Sequence, residues 1–216
     1  MFGNTKIKNA FKLFAGSKVL NIFEKTGKIE NESWKEDMTI YVQDIKGFTS
    51  IKENVTTEEL SQLYSDYISL TFDTIEKNKG YIITVNGDYI LAYWDETISN
   101  SEIHAVNAFM EIKAKLDEWA IVGKSSFLPK LEIISGIVRG NTIIGIFGSQ
   151  NKKYFALFGD MVNLVSRMCA ANLEFKTQLL VTEKVSQTIQ SKYQTKFIET
   201  VMIKGKRDPL KLFTVI

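Results

Sequence analysis

The chain has little of what several common catalytic schemes require: one cysteine, one histidine and two prolines in 216 residues. A lone Cys169 excludes an internal disulfide, and without further cysteine or histidine ligands a structural zinc site is excluded as well. His104 lies beside apolar residues in a predicted helix, which favours a packing role and excludes histidine-dependent catalysis. The sequence also lacks the Gly-x-x-x-x-Gly-Lys-Ser/Thr loop, so it is not a P-loop NTPase.

Long apolar runs and an excess of one charge are absent too. No stretch approaches the length that crosses a bilayer, and residues 1–20 lack the pattern of a signal peptide. We therefore expect a cytoplasmic location. The formal net charge of +2 gives no reason to expect a nucleic-acid partner. With 44% hydrophobic and 24% charged residues, the composition fits one globular domain.

Residues 1–35 differ from the rest, and we assign them to a separate basic segment before a domain at 36–216. Four lysines and no acidic residue occur through Leu20, and Ile7, Phe11 and Phe14 fall at helical spacing. One interpretation is weak membrane contact through residues 1–20. The favoured interpretation is a helix that packs on its own domain or on a dimer partner, because Gly16 and Ser17 interrupt the pattern.

The remaining residues alternate between strand and helix patterns. Thr56 and Glu59 form a capping box that predicts a helix ending at Gly80. Predicted strands cover residues 39–43, 81–85, 89–94, 131–138, 142–147, 154–158, 179–181, 197–201 and 210–215, and predicted helices cover 101–119 and 160–171. Asn86-Gly87 predicts one hairpin turn and 139–141 a second. The order β-α-β-β-α-β predicts an α+β, ferredoxin-like core with extra C-terminal strands and a short N-terminal helical segment.

Two carboxylates are placed where strands meet turns. Asp44 ends one strand, and Asp88 follows Gly87 at a hairpin tip. Together they could bind Mg²⁺ or Mn²⁺, which prefer oxygen ligands and bridge to phosphates. Taken singly, each has a plainer interpretation, with Asp44 capping a turn and Asp88 part of an ordinary hairpin.

Polar and basic residues further along the chain could contact the phosphates of a substrate. Asn163 and Arg167 are four residues apart, so they share a helix face. Lys206 follows Gly205 in a basic loop that could approach phosphates. A surface polar pair and a solvated turn are the alternatives. Combined with the carboxylates, these residues predict phosphoryl transfer on a nucleoside triphosphate.

The set resembles the class III nucleotidyl cyclase catalytic domain over about residues 38–216. The stretches that carry the resemblance are 44–50 (DIKGFTS), Gly87-Asp88, 144–149 (IGIFGS), 158–167 (FGDMVNLVSR) and 204–209 (KGKRDP). The resemblance implies a head-to-tail homodimer with active sites at the interface. One subunit would give two divalent metal ions the ligands Asp44, the Ile45 carbonyl and Asp88, and the other would contribute Asn163, Arg167 and Lys206. Phe48 would contact the substrate.

The base-reading positions depart from the family pattern. Adenylate cyclases commonly carry Lys and Asp or Thr at the positions of Thr84 and Ala156, and guanylate cyclases carry Glu and Cys. Asn86 replaces a usual apolar residue and offers a donor and an acceptor, and Phe158 could narrow the pocket. These features resemble bacterial pyrimidine cyclases, which make cyclic UMP or cyclic CMP in antiphage defence and activate a separate effector; UTP is favoured slightly over CTP. The alternatives are an adenylate cyclase with a variant pocket, a catalytically dead nucleotide-binding module, and Asn86 as a mere turn residue. A dinucleotide cyclase is disfavoured because its Gly-Gly-Asp/Glu-Glu-Phe signature is missing.

Overall fold

A computed structural model describes residues 5–122, 131–202 and 209–216 of the chain. Lys206 lies outside the described residues. The helices are α1 (Thr5–Thr26), α2 (Phe48–Glu53), α3 (Thr57–Lys77), α4 (Ser101–Val122), α5 (Asp160–Phe175) and α6 (Glu183–Ile189). The strands are β1 (Glu32–Ile45), β2 (Tyr81–Asn86), β3 (Tyr89–Trp94), β4 (Ile133–Gly148), β5 (Lys153–Phe158), β6 (Leu179–Thr182), β7 (Thr195–Val201) and β8 (Leu210–Val215).

The described strands form one sheet with the order β2-β3-β1-β4-β6-β8-β7, and β5 pairs with the second half of β4. Strands β2, β3, β1 and β4 pair antiparallel, and with α3 and α4 they reproduce the predicted ferredoxin-like core. Strand β6 runs parallel to β4, and β8 and β7 then extend the sheet. The predicted α+β class with added C-terminal strands is confirmed.

Each face of the sheet has its own apolar core. Along β1, Tyr41 and Ile45 pack with α3, α4 and α6, whereas Ile40 and Val42 pack with α5. This alternation is the period-two pattern of a strand covered on both faces. Asp44 continues the series of Ile40 and Val42, so its side chain belongs to the face that α5 covers.

The predicted hairpin at residues 139–141 is wrong, because β4 continues through it as a single strand. β4 pairs with β1 without interruption from Glu32 opposite Ile146 to Ile45 opposite Ile133. Gly140 serves a close contact and not a turn, since a Cβ there would lie 2.7 Å from the Met161 sulfur. The long partner strand keeps β4 straight, and local turn chemistry could not reveal that partner.

The turn between β2 and β3 is also shifted by one residue from the prediction. Asn86 pairs with Tyr89 as the last residue of β2, and the two turn residues are Gly87 and Asp88. Gly87 has φ 61°, a conformation that glycine adopts without strain. The shift places Asp88 inside the tight turn.

The N-terminal helix α1 folds back on itself at Gly16, where φ is 80°. Lys8 forms an ion pair with Glu24, and the rings of Phe11 and Phe23 lie 6.1 Å apart, so the two halves contact each other. The second half buries Val19 and Leu20 against the domain. Its Lys18 ammonium lies 2.9 Å from the carboxylate of Asp95, the residue that follows β3.

This packing agrees with the favoured interpretation of a helix that docks on its own domain. In the part of the chain that the structure describes, no helix is both long enough and apolar enough to cross a bilayer.

Candidate active site

The carboxylates of Asp44 and Asp88 meet above adjacent strands, as the sequence predicts. The backbone N–H of Ile45 donates to Asp44 Oδ1 at 3.0 Å and to Asp88 Oδ2 at 3.3 Å. One donor is thus shared by two carboxylates from different parts of the chain. The pairing of β1 with β3 brings the end of one strand beside the start of the other.

The electrostatics of this pair favour a cation. The pKa of Asp44 is raised to about 7 by burial, by a hydrogen bond to Asp88 and by the negative charge of Asp88, and the Ile45 N–H only partly offsets these effects. Two crowded carboxylates are a hard oxygen donor set that suits Mg²⁺ or Mn²⁺. Among residues 5–122, 131–202 and 209–216 there is no group of three or more Asp, Glu, His or Cys side chains that could hold a metal ion. The predicted third ligand, the Ile45 carbonyl, is a backbone group.

Two tyrosines of α3 hold the hairpin tip from the other face of the sheet. The hydroxyl of Tyr64 donates to the Gly87 carbonyl at 2.9 Å, and that of Tyr67 donates to the Asp88 carbonyl at 3.4 Å. Tyr67 also accepts from the Gln43 side-chain amide at 2.7 Å. The sequence analysis assigns these two tyrosines no role at the site. The signal that could have found them is the hydroxyl, because a buried tyrosine hydroxyl usually has a hydrogen-bond partner.

Helix α5 carries the predicted pair Asn163 and Arg167 on its exposed side. Neither side chain has a hydrogen-bond or ion-pair partner among the described residues. The opposite side of the helix packs closely on β4, since a Cβ at Gly136 would lie 2.7 Å from the Val165 carbonyl. The i, i+4 spacing therefore predicted the shared face correctly.

The helix lies within electrostatic range of the carboxylates. Burial raises the pKa of the Cys169 thiol, and the charges of Asp44 and Asp88 raise it further. Cys169 is buried. The carboxylates and α5 thus lie on one face of the sheet within a single chain.

The predicted base-reading residues lie on two strands, β2 and β5. Thr84 and Asn86 are exposed and stand opposite Leu91 and Tyr89, on the face that α5 covers. In β5, Ala156 stands opposite Gly145 of β4. Phe158, which is 42% exposed, ends β5. Strands β2 and β5 approach each other although they are not paired in the sheet.

Phe48, a predicted substrate contact, is buried at 7% exposure within the core beside α3 and α4. Its backbone begins α2 directly after Gly47, and the Lys52 ammonium lies 4.8 Å from its ring centroid. Its role toward a substrate stays a prediction, and so does that of Lys206, which lies outside the described residues.

Comparison with known proteins gives consistent matches. The sequence model for the adenylate and guanylate cyclase catalytic domain matches residues 30–216. Adenylate cyclase 1 of Rhizobium meliloti is 25% identical over 186 residues, which are 85% of this chain and 28% of that protein. The adenylate cyclase of Anabaena cylindrica is 26% identical over 218 residues, which are 97% of this chain and 43% of that protein. The chain thus spans less than half the length of these relatives.

Solved structures show the same fold. The adenylyl cyclase CyaB from P. aeruginosa superposes with a TM-score of 0.77 at 22% identity, covering 86% of this chain and 96% of that one. The guanylate cyclase domain of RhGC from Catenaria anguillulae, solved in complex with GTP, gives 0.71 at 20% identity, covering 86% and 98%.

Proposed function

The chain belongs to the adenylate and guanylate cyclase catalytic domain family, and on that premise we propose that it is a homodimeric nucleotidyl cyclase. It converts a nucleoside triphosphate into a 3′,5′-cyclic nucleotide and pyrophosphate. The observation that carries the proposal is the Ile45 N–H shared between Asp44 and Asp88. A divalent cation would stabilise these two adjacent carboxylates, whereas a purely structural role would leave their mutual repulsion in place.

Asp44, Asp88 and the Ile45 carbonyl would hold two divalent cations, which would lower the pKa of the ribose 3′-hydroxyl and bind the triphosphate. The 3′-hydroxyl would lose its proton to solvent water as its oxygen forms a bond to the α-phosphorus. The bond from that phosphorus to the bridging oxygen of the β-phosphate would break, and pyrophosphate would leave with that oxygen. Arg167 stabilises the charge that develops at the phosphorus, and Asn163 orients the ribose. Losing one such donor costs roughly 10²–10³ in rate.

A second copy of the chain completes the site. Asn163 and Arg167 point to solvent without partners among the described residues. The β4–β5 hairpin, which comes just before α5 in the chain, carries a cluster of aromatic side chains. Phe147 contacts Tyr154 and Phe158 at ring-centroid distances of 6.2 and 4.8 Å. Tyr154 is 53% exposed, and large exposed aromatics are typical anchors of interfaces.

Complementation between two inactive variants tests both the chemistry and the dimer. Asp44→Asn removes a cation ligand, and Arg167→Ala removes the phosphorus contact. Each variant alone should be inactive. Random mixing makes half of the dimers mixed, each with one intact site, so about one quarter of wild-type activity should return. Active single variants, or a mixture that stays inactive, would contradict the proposal.

In its finer form, the proposal is that the base of the nucleoside triphosphate substrate is a pyrimidine, with UTP preferred over CTP. Thr84 and Asn86 present short polar groups next to the carboxylate hairpin. Ala156 has no hydrogen-bonding group for the exocyclic amine of adenine, and an unmatched buried polar edge costs roughly 1–3 kcal/mol. The named relatives are adenylate and guanylate cyclases, and this favours the second candidate, an adenylate cyclase with a variant pocket.

Product identification separates the two candidates. Purified protein is incubated with ATP, GTP, CTP and UTP separately with Mn²⁺, and the products are identified by mass. Cyclic UMP or cyclic CMP supports the pyrimidine pocket, and cyclic AMP as the main product supports the alternative. If a pyrimidine product forms, we propose a signal for a separate effector in antiphage defence. Phage challenge of cells carrying the wild type or Asp44→Asn tests that role.

A further inference from the structure

A hydrogen bond joins the hairpin that carries Asp88 to the helix that carries Arg167. The Tyr89 hydroxyl lies 3.0 Å from Ser166 Oγ. Ser166 Oγ also lies 2.9 Å from the Val162 carbonyl, to which it donates its only proton. The Tyr89 hydroxyl is therefore the donor to Ser166, and the bond has a defined direction.

The position of this bond links the two halves of the catalytic machinery. Tyr89 is the residue after Asp88 and pairs with Asn86 at the end of the hairpin. Ser166 is the residue before Arg167, and its side chain faces the sheet while Arg167 is exposed. One aromatic side chain thus connects the hairpin tip directly to α5.

We propose that Tyr89 and Ser166 are positioning residues that couple the carboxylate hairpin to α5, so that each subunit transmits cation binding at one active site to Asn163 and Arg167 at the other. This inference rests on the proposed function, in which the carboxylates and α5 of one chain serve different sites of the dimer. The bond between Tyr89 and Ser166 joins the β2–β3 hairpin directly to α5 through side chains.

Tyr93 provides a matched control on the same strand. Its ring is fully buried on the same face, stacked on Tyr81 at a centroid distance of 5.2 Å. Its hydroxyl has no hydrogen-bond partner among the described residues. Tyr93→Phe and Tyr89→Phe therefore remove the same group, but only Tyr89→Phe removes a link to α5.

Hydrogen exchange with Mn²⁺ alone tests the coupling without catalysis. In the wild type and in Tyr93→Phe, Mn²⁺ should slow exchange both in residues 83–91 and in residues 160–175. In Tyr89→Phe the hairpin should still respond, whereas the response of α5 should fall by about 3- to 10-fold, the worth of one hydrogen bond. An α5 response that Tyr89→Phe retains would overturn the inference.

The wild type distinguishes this inference from the proposed function. If Mn²⁺ affects neither segment, the cation site itself fails and the inference fails with it. If Mn²⁺ protects the hairpin but leaves α5 unchanged, the cation site stands and only the coupling is wrong.

Mixed dimers then show where the link acts. In a dimer of Asp44→Asn with Arg167→Ala, the first subunit supplies α5 to the only complete site and the second supplies the carboxylates. Tyr89→Phe should lower kcat by about 3- to 10-fold in either subunit. The Mn²⁺ concentration for half-maximal activity should rise only when Tyr89→Phe is placed in the Arg167→Ala subunit, because that subunit supplies the carboxylates. A loss in only one subunit would overturn the coupling, as would a further loss when Ser166→Ala is added to Tyr89→Phe.

Discussion

Replacing Asp44 with asparagine should stabilise the cation-free protein at pH 8 although it abolishes the proposed activity. The wild-type carboxylate is half-buried beside Asp88. Its burial, followed by the hydrogen bond to Asp88 and the charge of Asp88, raises its pKa from 3.8 to about 7. Above pH 7 the native state therefore holds a repulsive pair of charges. The substituted amide keeps an acceptor for the Ile45 N–H and can donate to Asp88.

The magnitude follows from the shift in the pKa. About three units correspond to roughly 4 kcal/mol at 1.36 kcal/mol each, an upper bound. Solvent reaches half of the carboxylate and screens the repulsion, so about 1–2 kcal/mol remains. For a chain of this size that is about 2–8 °C in Tm.

The sign of the pH dependence is set by proton binding. Between pH 3.8 and about 7 the native state holds the Asp44 proton more tightly than the unfolded chain, so wild-type stability falls as the pH rises through this window. The variant lacks this loss. Its advantage should be near zero at pH 4 and complete above pH 7.

Thermal unfolding in chelator at pH 4.5, 6 and 8 measures the effect. Asp73→Asn, the same change at an exposed position of α3, is the control and should show no pH-dependent gain. Mn²⁺ should reverse the order, because it stabilises only the wild type, by about 2.7 kcal/mol at a hundredfold excess over Kd. A variant no more stable than the wild type at pH 8, or a gain independent of pH, would refute the reasoning.

Three other changes test how the site is supported. Tyr64→Phe removes the hydrogen bond to the Gly87 carbonyl and should weaken Mn²⁺ binding by about 3- to 10-fold in calorimetry, with unchanged affinity as the contrary result. Gly136→Ala places a Cβ 2.7 Å from the Val165 carbonyl and should cost about 1–3 kcal/mol in urea unfolding; a neutral effect would mean that α5 packs less tightly. Lys18→Ala leaves Asp95, whose side chain is 4% exposed, without its ion pair and should cost about 2–3 kcal/mol, and adding Asp95→Asn should recover part of this loss. Lys8→Ala breaks an exposed pair and should cost under about 1 kcal/mol, so equal losses would contradict the burial argument.

Local chemistry explains which features were predictable. The capping box at Thr56 appears as predicted, because the reciprocal bonds with Glu59 involve only four consecutive residues. The shared exposure of Asn163 and Arg167 follows from helical periodicity alone. The proximity of Asp44 and Asp88 was predictable because one carboxylate lies near the end of β1 and the other directly precedes β3.

Features that depend on distant partners were missed or misread. Residues 139–141 carry a turn signal, yet their pairing with Met38 and its neighbours in β1 keeps them extended. The bond from Tyr89 to Ser166 joins residues 77 positions apart, and no local pattern marks it. The short helices α2 and α6 were missed because six or seven residues carry too little periodicity.

The sequence by itself therefore determined the residue types of the site and the faces on which they lie. The tertiary structure decided how close the carboxylates come, and hence that the pKa of Asp44 rises. It also decided which hydroxyls fix the hairpin that holds Asp88. Side-chain alternation is a property of each strand or helix, whereas burial, charge repulsion and hydrogen bonds across the sheet arise only when separate segments pack together.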